Sequence, residues 1–412
     1  MKITFAHYDS AQDVGGVSSW LRRLLPSLKQ AGHTVSVDML NFAVDWGTNC
    51  KFFASEGIPF RVAHWREFTA AASMQFLKWL ADDPPDVYVP NCIIPAYFAA
   101  GLARRQGVST IGVLHSDDPF YWGVVDEFVA GPAEWRLSGV VSVSQYIEDE
   151  LRSVNKFGLP AWRIGYSAPV PRHTATPPKD VLRLVYAGRL VEEQKRISEV
   201  TRALCSAARR FHQVHAWIVG NGDQKRVVQD ILATEQHFGK VQLIGHVDCE
   251  SIQDIFAQCH AFVLLSDYEG LPISLLEAMA AGLVPICLDM KSGVKEVLVN
   301  EHNGLIVKDR NEDFLIAARK LVDGQLSWVS MSQNARYTVL KSFSHDRMVR
   351  QWNSFFENLR PMCAPRSLKV PNQILLPARN PKFGKFDCRP GLRDKARSLS
   401  RKLYGYVVNT AQ

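Results

Sequence analysis

Short runs of residues that are apolar on both faces, spaced by amphipathic stretches, recur along this chain from its start to about residue 307. Strands of that kind are dry on both sides, so they belong to parallel sheets covered by helices. Ile3 to His7, Thr34 to Leu40, Asp86 to Pro90, Thr110 to His115 and Gly139 to Ser142 read as strands, with a helix from Val17 to Gln30 between the first two. A proline-rich stretch from Pro169 to Asp180 then interrupts the rhythm as a linker does. Beyond it the alternation restarts, with strands expected at Leu182 to Tyr186, Ala216 to Val219, Val241 to Leu243, Ala261 to Leu265, Val284 to Cys287 and Gly304 to Val307. The pattern predicts two doubly wound α/β domains, 1–168 and 181–344, facing each other across a cleft. Helical stretches near 328–341 and 345–359 follow, and the last is expected to cross back and complete the first domain.

The length of 412 residues suits two domains, and 47% hydrophobic with 22% charged residues excludes a disordered chain or a small disulfide scaffold. The eight cysteines form no C-x-x-C pair and sit mostly in apolar runs, which predicts free thiols in a reducing compartment. No leader-like succession opens the sequence, and no apolar run is long enough to span a bilayer. A cytoplasmic protein is therefore expected, peripheral at most on the inner face of a membrane.

The net charge of +7 is unevenly placed. Residues 361–412 carry 11 Lys plus Arg against Asp387 and Asp394, or +9, so residues 1–360 carry −2. This basic extension opens with Pro361, Pro365, Pro371, Pro377 and Pro381. It continues as an amphipathic segment with Leu392, Leu399, Leu403, Tyr404 and Tyr406. Two readings stand side by side: a segment resting on an anionic membrane surface, or a solubilising tail. No nucleic-acid-binding module is recognisable, so no nucleic-acid partner is expected.

Four places carry candidate chemistry. Gly15 and Gly16, in Asp13-Val14-Gly15-Gly16-Val17, stand where a strand turns into a helix, a position that lets an anion approach free backbone N–H groups. They are not a G-x-G-x-x-G dinucleotide fingerprint. His115 ends a strand, at the edge where ligands bind in open α/β sheets; it suits a substrate-orienting group or a loop histidine satisfied by a neighbouring aspartate. Arg189 and Lys195 follow the strand ending Tyr186-Ala187-Gly188, and a guanidinium plus an ammonium there fit a diphosphate or a solvated charge run. The richest stretch is Ser266 to Gly282, in which Glu269 precedes a helix opened by Pro272 and Glu277 lies in its second turn. Two carboxylates flanking a helix N-terminus suit the hydroxyls of a sugar and of a ribose on either side of a phosphate. Gly220, in Val219-Gly220-Asn221-Gly222-Asp223, and Val247, in Gly245-His246-Val247, end two more strands on the same side. No H-E-x-x-H or zinc-like Cys/His spacing occurs, so no metal site and no cofactor are expected.

With Glu269-Gly270-Leu271-Pro272 through Glu277-Ala278-Met279-Ala280-Ala281-Gly282, and Val185-Tyr186-Ala187-Gly188-Arg189-Leu190 with Lys195, the chain resembles the group 1 retaining glycosyltransferases of the GT-B class. The likeness runs from the Gly15-Gly16 loop to about Leu359. It implies two Rossmann-like domains with a nucleotide-diphosphate sugar, UDP- or GDP-linked, held mainly by the second. By that resemblance Arg189 and Lys195 bind the diphosphate, Glu277 the ribose and Glu269 the donor sugar. Gly16 lies near the diphosphate and His115 beside the sugar, while Leu271 and Leu275 offer backbone N–H groups; Gly270 belongs to the same motif. Two departures stand out: Arg196 occupies a position that is often Gly in the family, and Lys295 one that is often Pro.

Such an enzyme would transfer a sugar to a hydroxyl of a glycan, lipid-linked or small-molecule acceptor, in the synthesis of polysaccharide, lipopolysaccharide or another glycoconjugate. Same-face attack, with the departing diphosphate oxygen taking the acceptor proton, is favoured over a double displacement through Glu269. An epimerase or hydrolase on the same fold, and a non-catalytic sugar-nucleotide- or glycan-binding subunit, remain the competing readings.

Overall fold

A computed structural model describes residues 1–11, 15–42, 45–64, 69–235, 239–248, 251–359, 367–387 and 389. Among these residues there are two fully parallel sheets. The first contains β1 (Lys2–Asp9), β2 (Thr34–Asn41), β3 (Phe60–His64), β4 (Val87–Pro90), β5 (Ser109–Leu114), β6 (Gly139–Ser142) and β7 (Ala161–Arg163), ordered β3-β2-β1-β4-β5-β6-β7. The second contains β8 (Leu182–Ala187), β9 (Val214–Val219), β10 (Val241–Gly245), β11 (Ala261–Leu264), β12 (Val284–Leu288) and β13 (Leu305–Val307), ordered β10-β9-β8-β11-β12-β13. Strand order reverses between β1 and β4 and again between β8 and β11. Those are the switch points at whose carboxyl ends ligands lodge in doubly wound sheets. This is the Rossmann-like pair of domains that the alternation of runs predicts.

The central strands form because nothing in them wants water. β4, β5, β6 and β11 are buried at every position. β3 and β7 are absent from the sequence-based expectation, and their burial explains why. Both are edge strands, β7 is three residues long, and neither has a fully buried position, so neither shows a two-faced apolar run.

The chain leaves the first domain at Ala168 and returns at Ser344, and these two residues pair as an isolated parallel bridge. Both crossings thus lie side by side. The linker between them is tied to the second domain where Ala175 N–H donates to the Ala281 carbonyl at 2.8 Å. The helix His345–Asn358 packs on the first domain: His345 bonds the Ser27 hydroxyl at 2.8 Å, Trp352 lies 5.8 Å from the Trp20 ring and Phe355 4.8 Å from Trp162.

Residues 367–387 and Arg389 do not form the free basic appendage that the charge pattern suggests. Phe383 is fully buried, against a place where a Cβ on Gly123 would come within 2.7 Å of its ring. The buried Arg389 guanidinium holds both oxygens of Glu127, at 2.5 and 2.9 Å, and Oδ2 of Asp387. The Thr69 hydroxyl donates to the other Asp387 oxygen at 3.0 Å, and Lys382 pairs with Asp126 at 2.7 Å. Part of the basic excess is therefore internal charge balance of the first domain. The amphipathic segment with Leu392, Leu399, Leu403, Tyr404 and Tyr406 lies outside the described residues. No described helix is long and apolar enough to cross a membrane.

Candidate active site

Three strand ends of the second sheet, each closed by glycine, make one wall. Gly188 N–H donates to the Val219 carbonyl at 3.0 Å and Gly220 N–H to the Gly245 carbonyl at 2.8 Å. Gly220 has φ +145, and a Cβ there would sit 1.8 Å from the Gly188 carbonyl oxygen, so only glycine fits. Val247 is half-buried just beyond.

From Gly188 the chain enters the loop that carries the cations. The Tyr186 hydroxyl donates to the Arg189 carbonyl at 2.7 Å, fixing the loop's start. Arg189 itself is exposed, whereas Lys195 is buried with its ammonium 2.5 Å from Oε1 of Glu269. Gln194 lies between them. Its Oε1 accepts from Arg189 at 2.8 Å, and its Nε2 donates to the Tyr268 carbonyl at 3.0 Å and to Oε2 of Glu269 at 3.3 Å. Arg189, Lys195 and Glu269, taken from segments about 75 residues apart, thus form one connected set. Burial, followed by the charge of Glu269, pushes the Tyr186 phenol well up, so it stays a neutral hydrogen-bond donor.

Arg196 shows why the family often has glycine there. Its φ of +49 and ψ of +45 are left-handed, a region that costs a side chain about 1–2 kcal/mol. Its guanidinium holds Asp267 at 2.5 Å, and Arg310 binds the same carboxylate while donating to the Leu265 carbonyl at 2.8 Å. Burial would raise the Asp267 carboxyl, but the hydrogen bonds from Arg196 and Arg310 outweigh it and hold it below its ordinary value.

The helix Ile273–Ala280 starts from Pro272, with Leu271 and Leu275 buried behind it, and has no acidic residue in its first turn. It faces the helix Gly16–Gln30, capped by Gly15 and also free of first-turn acids. A Cβ on Gly16 would lie 3.5 Å from Cδ1 of Ile273, so the two positive helix ends nearly meet. Asp13 and Val14 lie outside the described residues. The domains touch closely at Gly270, where a Cβ would come 2.1 Å from the His115 carbonyl oxygen. Glu277 is paired across the cleft with Arg23, and Glu296 accepts from Gln145 N–H at 2.5 Å. Lys295, the second departure, pairs with Asp289 on the surface.

His115 is set into the interior of the first domain. The imidazole is buried and turned into the first domain, where Nε2–H donates to Oδ1 of Asn91 and Nδ1 accepts from the Tyr166 hydroxyl. The chain continues from Asn91 Nδ2 to His7 at 3.2 Å and from His7 to the Ser18 hydroxyl at 2.7 Å. Both ring nitrogens are engaged in this interior chain, and the His115 carbonyl faces the second domain at Gly270. Nor do the neighbouring aspartates satisfy the ring. Asp117 accepts from Trp122 Nε1 at 2.6 Å, and Asp118 caps the helix Pro119–Phe128 through Tyr121 N–H. Burial, then the nearby His7, lowers the His115 pKa well below its ordinary value and keeps the ring neutral.

Sequence reasoning missed Gln194 and Arg23. Gln194 is hidden inside the charge run Glu192-Glu193-Gln194-Lys195-Arg196, and Arg23 is a helix-surface arginine whose partner is 254 residues away. Only the folded geometry names their partners. Among the described residues no group of three His, Cys, Asp or Glu side chains is placed to hold a metal ion.

The family model described as "Glycosyl transferases group 1" matches residues 172–338, and that described as "Glycosyltransferase Family 4" matches residues 14–165. The chain belongs to the group 1 glycosyltransferases. Its similarity to the GtfA subunit of the UDP-N-acetylglucosamine–peptide N-acetylglucosaminyltransferase of Streptococcus parasanguinis is 22% identity over 173 residues, covering 40% of this chain and 34% of that protein. The chain spans less than half the length of the curated relatives it matches first. A phosphatidyl-myo-inositol mannosyltransferase of Mycolicibacterium smegmatis is 24% identical over 325 residues, covering 74% of this glycosyltransferase and 80% of its own length. The solved structure of Anabaena Alr3699/HepE in complex with UDP-glucose matches with a TM-score of 0.68 at 18% identity, over 87% of this chain and 100% of that one. That match establishes the GT-B fold here.

Proposed function

We propose that this glycosyltransferase moves a hexosyl or related sugar from a UDP- or GDP-linked donor to an acceptor hydroxyl, with retention of anomeric configuration and without a metal ion or other cofactor. The observation that carries the proposal is the connected set of Arg189, Lys195 and Glu269 beside two facing helix N-termini. The two cations and the helix ends supply the positive charge that a leaving diphosphate needs, in the place where a divalent cation would otherwise act. Glu277, in the second turn of the helix Ile273–Ala280, is in position for ribose hydroxyls once Arg23 releases it.

In the reaction the bond between the anomeric carbon and the diphosphate oxygen breaks. The acceptor oxygen forms its bond on the same face and passes its proton to a diphosphate oxygen, and the nucleoside diphosphate leaves. Arg189 and Lys195 stabilise the departing charge, Glu269 fixes the sugar hydroxyls, and closure about the paired crossings at Ala168 and Ser344 excludes water. His115, beside the donor sugar on this reading, is steadied by Asn91 and Tyr166 at the first-domain wall. The acceptor is a glycan, a lipid-linked sugar or a small molecule. For a lipid-linked acceptor, the cations of residues 390–412 (Arg393, Lys395, Arg397, Arg401 and Lys402) would hold the protein at the anionic inner face of a membrane, at about 1 kcal/mol each.

Slow donor hydrolysis tests the chemistry without knowledge of the acceptor. Proton NMR of UDP-glucose, UDP-N-acetylglucosamine and GDP-mannose should show the sugar of one donor released first as the α anomer, at a rate EDTA does not change. Release as the β anomer, or a rate abolished by EDTA and restored by Mg²⁺ or Mn²⁺, would contradict retention or metal independence. Full conversion of the donor to an epimer would favour the epimerase reading instead. The membrane proposal predicts that replacing those five cations by glutamine abolishes binding to phosphatidylserine vesicles.

A further inference from the structure

We infer that Gln194 is a positioning residue that sets the diphosphate-binding Arg189 and the sugar-binding Glu269 at a fixed separation. The inference rests on the donor reading given above. A primary amide carries an acceptor and two donors on one planar group, and here all three are spent on the site. Oε1 faces a guanidinium, which can only donate; Nε2 faces a carbonyl and a carboxylate, which can only accept. The amide therefore has one orientation. The backbone fixes it further, because Asp267 N–H donates to the Gln194 carbonyl at 3.0 Å and joins the two loops directly.

Glu269 is held at both oxygens from this one loop, Oε1 by Lys195 and Oε2 by Gln194. Lys195 supplies the charge and Gln194 the direction. Arg189 is exposed at the cleft and its guanidinium donates to the Gln194 oxygen, so the same amide aims the guanidinium. No other side chain of this length does both. A glutamate would accept from Arg189 but repel Glu269, and a methionine would fill the space and bond neither. A group that orients catalytic side chains from buried packing acts on the reaction through them.

The test compares Gln194→Glu and Gln194→Met in the full chain, measuring UDP and GDP affinity by calorimetry and donor hydrolysis by NMR. Gln194→Met should lower hydrolysis about 10- to 30-fold. Gln194→Glu, the closer isostere, should lower it at least 100-fold, with thermal midpoints of both within about 2 °C of wild type. In a Glu269→Gln background the Gln194→Met change should cost clearly less than in wild type, because only its hold on Arg189 is left to lose. A Glu variant more active than the Met variant would reduce Gln194 to a space filler and overturn the inference. Equal losses in both backgrounds would do the same. Failure of the wild type to bind UDP or GDP, or to hydrolyse any of the three donors, would instead remove the donor reading itself.

Discussion

The two domains share one fold and solve opposite electrostatic problems. At the strand ends of the second domain the groups are charged and paired: Lys195 with Glu269, Arg196 and Arg310 with Asp267. At the strand ends of the first domain a chain of uncharged groups runs from Tyr166 through His115, Asn91 and His7 to Ser18. The Asp9 carboxyl beside it is held by the Gly47 and Asn49 backbone N–H groups rather than by a cation. A charged set can respond to a charged ligand by exchanging partners. A neutral buried chain has no such exchange to offer and holds a wall in shape. On the proposed donor reading, the difference teaches that the side-chain cations for the donor's charge come from the second domain, while the first adds a helix end, surface and rigidity. The first domain also buries charged side chains away from that chain: Asp38 of β2 beside Arg61, and Arg389 with Glu127 and Asp387 behind the helix Pro119–Phe128.

The sharpest way to break this contrast is at Glu269. Glu269→Ala should lower donor hydrolysis about 10³-fold, roughly 4 kcal/mol of barrier. It should also destabilise the fold, because Lys195 is left buried and unpaired. Residual activity within tenfold of wild type would mean that the charged set is not the chemical centre. Arg389→Ala tests the other buried charge cluster. It should cost about 3–5 kcal/mol in urea denaturation by stranding Glu127 and Asp387, yet leave nucleotide affinity unchanged.

His115→Asn probes the neutral chain. A lowered histidine pKa means that the unfolded state takes up a proton near pH 6.5 while the folded state does not. The stabilisation from this group is therefore full above pH 6.5 and declines as the pH falls below it. Wild type should lose stability from pH 6.5 to 5, and the variant should lose up to about 1.4 kcal/mol per pH unit less. Equal slopes would mean that His115 is not buried neutral. The smallest effect is expected for Arg196→Gly. Relief of about 1–2 kcal/mol of left-handed strain offsets the half-exposed Asp267 pair, so stability should stay within about 1 kcal/mol and hydrolysis within threefold. A large loss would show that the Arg196–Asp267 pair, rather than backbone shape, holds Lys195.

The same contrast governs what was legible beforehand. All six strands of the second sheet are visible as apolar runs, because each edge strand keeps a buried anchor: Val241 in β10, and Leu305 and Val307 in β13. The first sheet hides β3 and β7, whose exposed edges blur the pattern. Glu269, Glu277, Arg189 and Lys195 stand at readable places, after apolar strands or in a helix's first turns. The inward turn of His115 is not readable, since its partners come from positions 7, 18, 91 and 166 and meet only on folding. Gln194 is a neutral residue inside a charge run, and nothing local distinguishes an amide facing solvent from one spanning two loops. The basic C-terminal stretch looked uniform in sequence, yet its first half is stitched into the first domain by Phe383 and Arg389.

The central claim is that the second domain captures a nucleoside diphosphate through its fixed cations. Isothermal titration of wild type and Arg189→Ala with UDP and GDP tests it most directly. The account predicts that one nucleotide binds wild type measurably, with affinity falling as salt rises, and binds Arg189→Ala about 10- to 100-fold more weakly, the loss expected for one or two charge-assisted hydrogen bonds. Equal affinity in both proteins, or no binding of either nucleotide to wild type, would contradict it.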